Sequence, residues 1–141
     1  MKKTTRIALY LGVAFAGLFL TASTSMAQEA KPKGKPWPAP AEEASKKAPS
    51  KADANTVKEG KEIYMQSCKS CHGADGKGTG EKAAKIEISC GDFTTGDFTN
   101  ETEGAIYWKI TEGRKPMPSF KEKLTDAERW KVVAYLRSLK K

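Results

Sequence analysis

Apolar positions along the chain form one long run near the start and three helical stripes further on. The run from Ile7 to Leu20 spans 14 residues, short of the roughly 20 that a membrane-crossing helix needs. It follows Lys2, Lys3 and Arg6 and leads into small residues ending Ser25-Met26-Ala27. That order of basic, apolar and small residues reads as a secretory signal peptide over residues 1–27, cleaved after Ala27. No cysteine lies at the junction to take a lipid, so the mature product is expected to have no stable membrane insertion.

The stripes predict three helices. Val57, Gly60, Ile63 and Tyr64 recur at helical spacing up to Ser67, behind a Thr56-x-x-Glu59 capping box. Ala105, Ile106, Trp108 and Ile110 define a second helix from Thr102 to Glu112, with Gly113 placed to end it. Thr125-Asp126-Ala127-Glu128 caps a last helix carrying Trp130, Val133, Ala134 and Leu136 to about Leu139, and Arg137 suits the negative end of its dipole. Residues 73–100, rich in glycine, read as irregular connections with a short helical turn near Glu81 to Lys85. No alternation supports a sheet and no internal repeat is present.

Composition divides the remainder. Residues 28–55 hold five prolines and almost no large apolar side chain except Trp37, too little to offset the entropy of ordering. This stretch reads as a disordered or extended arm. Trp37 is either an exposed tail residue, the preferred reading, or an anchor pinning the arm to the domain. The folded domain is then 56–141. The formal charge of +8 falls to +5 once the signal is removed, with 22 basic residues against 17 acidic. It falls again to +3 for the domain, with 16 against 13. The basic residues are scattered rather than gathered in a stripe with aromatic residues between, so nucleic acid is not an expected partner.

One histidine and three cysteines limit the chemistry: any site using two histidines of one chain is excluded. Cys68-Lys69-Ser70-Cys71-His72 is the C-x-x-C-H sequence of covalent c-type haem attachment. Thiols three positions apart can each add to one vinyl group of haem, and the adjacent imidazole is carried under the ring to take an axial position on iron. The export signal agrees, since this attachment takes place outside the cytoplasm. Competing readings are weaker on physical grounds. A thioredoxin-like dithiol needs a βαβ context. A zinc site of Cys68, Cys71, His72 and Cys90 would require the neighbours Cys71 and His72 to face one tetrahedral ion. A Cys68–Cys71 disulfide would leave His72 without a task.

With no second histidine, the other axial position falls to Met, Lys or an open site. Met65 lies on the helix entering the attachment motif, on the wrong side to cross the ring. Met117, in Lys115-Pro116-Met117-Pro118, is presented on a loop stiffened by two prolines. A His72/Met117 pair fills both axial positions and raises the reduction potential, which suits electron transfer.

These features resemble a class I monohaem cytochrome c of the small bacterial type. The resemblance rests on Gly60 and Tyr64, Cys68-x-x-Cys71-His72-Gly73, the loop from Gly73 to Gly78, Met117-Pro118 within Gly113 to Phe120, and Trp130 to Leu136 with Tyr135. It implies an all-α, cytochrome c-like fold of three to five helices around one covalently attached haem with one exposed edge. It also implies first and last helices crossing nearly at right angles where Gly60 faces Tyr135, with His72 and Met117 as the proximal and distal ligands. The family commonly carries a proline whose carbonyl accepts from the axial histidine. No proline lies between Pro49 and Pro116, and the segment Lys85 to Gly91 stands there instead. Within it Cys90 reads as a small buried hydrophobe rather than an intermolecular disulfide partner. Trp108 and Phe120 read as walls of the haem pocket, with a propionate bond open to Trp108 or Tyr107.

The expected protein is a monomeric periplasmic single-electron carrier with one haem c (iron) per chain, attached through Cys68 and Cys71, doing no bond-making chemistry. Its partners are redox proteins, steered by Lys69, Lys77, Lys115, Lys121 and Lys123. The alternative is a haem subunit or peroxidase-like enzyme with a labile distal ligand. A third reading makes the proline-rich arm a docking element with haem reporting redox state.

Overall fold

The computed structural model describes residues 31–140; the expected signal peptide and cleavage after Ala27 lie outside the described residues. In chain order the helices are α1 (Ala41–Ser45), α2 (Ala54–Ser67), α3 (Lys69–His72), a 3-10 turn (Ala83–Lys85), α4 (Gly96–Thr99), α5 (Glu103–Glu112) and α6 (Asp126–Ser138). The described residues contain no strand, only an isolated bridge between Arg114 and Met117, and the fold is all-α as expected. No helix among them is long and apolar enough to cross a membrane.

The three long helices stand where the apolar stripes place them. The start of α2 differs in detail: it begins at Ala54, and its N-cap is Asp53, whose carboxylate accepts from Thr56 N at 2.7 Å. The expected Thr56–Glu59 capping box does not form, because Glu59 turns instead to Asn55 and Lys131. At α6 the capping box is present, with Thr125 Oγ1 accepting from Glu128 N and the Glu128 carboxylate accepting from Thr125 N. Thr102 caps α5, and Gly113 ends it.

Helices α2 and α6 pack across one another at Gly60. A Cβ built there would stand 1.9 Å from the Lys131 carbonyl oxygen and 3.1 Å from Tyr135 Cβ, so only glycine allows this approach. Around the crossing, Tyr64, Ile106, Ile110, Phe120, Val132, Val133, Tyr135 and Leu136 form the core. Fully burying an aliphatic side chain of this kind contributes about 1.5–3 kcal/mol relative to leaving it exposed. Arg129 is the charged group in this interior, 5% exposed. Its guanidinium donates to the Lys121 and Leu124 carbonyls, to Tyr107 Oη and to Asp126, which fixes the turn that leads into α6.

The arm is packed on the domain, which corrects the preferred reading of Trp37 as a free tail residue. The Trp37 ring lies 5.8 Å from that of Trp108 and 4.7 Å from the Arg114 guanidinium. Beyond it α1 lies against the start of α5, where a Cβ on Gly104 would meet the Glu43 carbonyl at 2.3 Å. Proline spacing and low apolar content pointed away from this docking, which only the anchor reading of Trp37 anticipated; backbone carbonyls, the indole, Lys31 and a Lys33–Asp97 pair carry it.

Candidate haem site

Cys68, Cys71 and His72 are brought together by a change of direction at the end of α2. Cys68 is the C-cap of α2 and at the same time the N-cap of α3, so the two thiols sit one turn apart with His72 as the last residue of that turn. Gly73 follows at φ +78°, in the left-handed region that a side chain resists, and turns the chain back over the motif. The carbonyls left open at the end of so short a helix need partners. The glycine-rich loop supplies them: Gly78 N donates to His72 O at 2.8 Å, Gly80 N to Cys71 O at 3.2 Å and Lys82 N to Ser70 O at 2.7 Å.

Burial pushes the Cys68 thiol up to about 12, with the neighbouring Cys71 adding to it. In the unmodified chain the thiol is therefore neutral, and both cysteines are unpaired. His72 is held below the ordinary imidazole value, mainly by burial, while a backbone contact with Cys90 acts in the opposite direction, as a carbonyl facing an N–H does. That contact falls short of a formed hydrogen bond, since Nδ1 is buried without a bonded partner. The 85–91 segment thus runs beside His72 without a proline in it. Cys90 itself is half-buried and unpaired.

One aromatic residue packs on the imidazole, and a second holds the residue that follows it. Phe93 lies 4.8 Å from the His72 ring, tilted by 30°, and also contacts Phe98 at 4.7 Å. Tyr64, fully buried, donates from Oη to Gly73 O at 2.6 Å and packs on Tyr135 at 5.1 Å. Phe93 carried no signal in the sequence beyond being an aromatic residue in a glycine-rich loop.

Met117 is half-buried against the apolar core, as is Cys68. Its N–H donates to Arg114 O at 2.9 Å, closing a tight turn. Met65 also packs on the core, from α2. Phe120 is core, as expected, whereas Trp108 is half-buried beneath Trp37, and Tyr107 stacks on Trp130 at 4.3 Å with its hydroxyl on Asp126. Among the described residues no group of three or more His, Cys, Asp or Glu forms a cage for a metal ion, so Cys68, Cys71, His72 and Cys90 are not gathered as for zinc. The donor set fits haem c: two thiols one turn apart, an adjoining imidazole whose Nδ1 faces protein, and a thioether on a separate loop.

Fold and motif together are those of a small class I-like c-type cytochrome. The family model described as "Cytochrome C oxidase, cbb3-type, subunit III" matches residues 55–136, and the chain belongs to that family. Members of such a family carry covalent haem c with iron and transfer electrons through it. A cbb3-type cytochrome c oxidase subunit CcoP of Azospirillum brasilense is 29% identical over 89 residues, which cover 62% of this chain and 30% of that protein. The chain therefore spans under a third of that relative's length. Among solved structures, a chain of the Kuenenia stuttgartiensis reducing HAO-like protein complex aligns with TM-score 0.61 at 35% identity, over 67% of this chain and 48% of that one. The c-type cytochrome KustC0563 aligns with TM-score 0.52 at 33% identity, over 58% of this chain and 98% of that one.

Proposed function

We propose that this protein is a periplasmic single-electron carrier that holds one haem c per chain by thioether bonds to Cys68 and Cys71. His72 is its proximal and Met117 its distal ligand. In this reading residues 1–27 are the cleaved export signal, 28–55 an arm and 56–141 the cytochrome domain. The observation that carries it is the placement of the C-x-x-C-H motif on α3, with His72 Nδ1 turned into protein beside Cys90 and Phe93. Bound haem iron supplies a one-electron couple between ferrous and ferric. The chain's part is to orient His72 through Phe93 and the Tyr64–Gly73 bond, to present Met117 on the Arg114 turn, and to exclude water with the α2–α6 core. Lys69, Lys77, Lys115, Lys121 and Lys123 are exposed and would speed encounter with acidic redox partners.

Intact mass and a redox titration followed optically test this. The expected results are a mass increase of one haem that survives denaturation, loss of one attachment bond in Cys68→Ala or Cys71→Ala, and a sulfur-to-iron band in the ferric form that disappears in Met117→Ala. A wild-type protein without that band, binding carbon monoxide readily, supports the peroxidase-like alternative instead.

A second reading, a haem subunit of a larger assembly, is favoured by the oxidase-subunit family and by the CcoP relative. Light scattering on protein from native membranes and periplasm separates the two. A single-chain mass supports the free carrier, and co-elution with an oxidase supports the subunit.

A further inference from the structure

The first described residues of the arm cross between the two loops that carry the axial candidates. At one end Lys31 Nζ donates to the carbonyls of Ala83, Ala84 and Ile86, and Pro32 O accepts from Ser89 N at 2.9 Å. Those partners belong to the segment that continues through Cys90 to Phe93, whose ring lies 4.8 Å from that of His72. At the other end Arg114 Nη2 donates to Lys35 O at 2.9 Å and Nη1 to Pro36 O at 3.1 Å, while the guanidinium stands over the Trp37 ring. The carbonyl of the same Arg114 accepts from Met117 N. Gly34 lies between the two attachments, where a Cβ would meet Ile88 Cδ1 at 3.1 Å and Arg114 Nη2 at 3.6 Å.

Resting on the His72/Met117 reading, we propose that residues Lys31 to Trp37 are a clamp tying the Met117 loop to the His72-side loop. Trp37 and Arg114 are its positioning residues, and the clamp slows replacement of Met117 by outside ligands. The physical case is that a planar guanidinium fork satisfies two carbonyls at once and stacks on an aromatic face, a combination lysine lacks. Arg114 joins the two: its carbonyl holds the Met117 turn and its guanidinium holds Lys35, Pro36 and Trp37, so the turn is tethered to the arm. With haem held by His72 and Met117, such an exchange would change no oxidation state, since an imidazole nitrogen would take the position that the Met117 thioether leaves.

The test is imidazole titration of the ferric, haem-loaded full chain, comparing wild type with Trp37→Ala, Trp37→Phe and Arg114→Lys. Trp37→Ala should tighten imidazole binding on the order of tenfold, the factor that about 1.4 kcal/mol carries. Arg114→Lys should tighten it by less, and Trp37→Phe, which keeps a ring under the guanidinium, should stay near wild type. Exchange of the Met117 amide, which donates to Arg114 O, reads the same opening without imidazole, and should quicken in Arg114→Lys even if Trp37→Ala fails to fold. Unchanged affinity and unchanged exchange in folded Trp37→Ala and Arg114→Lys overturn the clamp. A wild-type protein that lacks the sulfur-to-iron band fails the ligation reading itself, which separates the two failures.

Discussion

Where α2 crosses α6, Tyr64, Val132 and Val133 are sealed from water, and Gly60 lets the two backbones touch. Around His72, one short helix away, the side chains are half-buried and the chain is held by single hydrogen bonds from loop amides. The first region is stabilised by removing apolar area from water, which many atoms share and which falls gradually with each loss. The second is held by a few directional bonds and by Phe93, so each of its members matters separately. The crossing is the framework, and the loops present the site on it. This predicts that damage at the crossing removes the fold, and that damage at the loops leaves a folded chain with an altered site.

The largest effect is expected for Gly60→Val. With the Lys131 carbonyl 1.9 Å from the first added carbon and backbone on both sides, no rotamer relieves the clash. Overpacking of this kind should cost about 3 kcal/mol or more, read as the loss of the cooperative melt. A near-native Tm would show that the helices can separate, and would break the contrast between the two regions.

Phe93→Ala should follow, at about 2 kcal/mol, because a half-buried ring is lost rather than a fully buried one. Unlike the crossing variant it should yield a folded protein, with the reduction potential and the ferric spectrum shifted as His72 loses its neighbour. An unchanged potential would mean that Phe93 serves the core alone. Tyr64→Phe comes next. The ring stays, but the Gly73 carbonyl loses its 2.6 Å partner, and a buried acceptor left open costs about 1–3 kcal/mol, measurable by chemical denaturation.

The same division decides what was legible in the sequence. Helices α2, α5 and α6 could be read because a buried stripe imposes a period on side chains, and C-x-x-C-H could be read because it is the spacing that covalent haem attachment requires. Gly60 and Tyr64 stood on the α2 stripe, and the approach of Gly60 to Tyr135 came from the resemblance. Phe93 and Arg114 left no such trace, and Trp37 stood out only as a large apolar side chain among prolines, which suits a tail or an anchor alike. What holds the arm is largely the carbonyls of Lys35 and Pro36 accepting from Arg114, and Ser89 N donating to Pro32. Backbone groups are alike in every residue, so they write no pattern. The start of α2 was misplaced for a related reason: Asp53 and Thr56 both suit an N-cap, and only the pairing of Glu59 with Lys131 on α6, a long-range contact, removes Glu59 from the capping box.

That competition gives the smallest predicted effect, at the point where arm and helix meet. Asp53 accepts from the Thr56 N–H and hydroxyl, and these bonds hold its carboxyl below the usual carboxylate value. A carboxyl depressed in the folded state stabilises it above the unfolded value, about 3.9 for aspartate, and that contribution is lost as pH falls through the lower folded value. Asparagine caps helices about as well but does not titrate there. The difference in Tm between wild type and Asp53→Asn should therefore be small and constant near neutrality and should move in favour of the variant as pH drops below about 4. Because every other carboxylate is common to both proteins, the difference isolates this cap. A parallel decline of both proteins, with no change in their difference, would place the ionised Asp53 outside the forces that hold α2. A change in imidazole affinity in Asp53→Asn would show instead that the start of α2 and the clamp over Met117 are not independent.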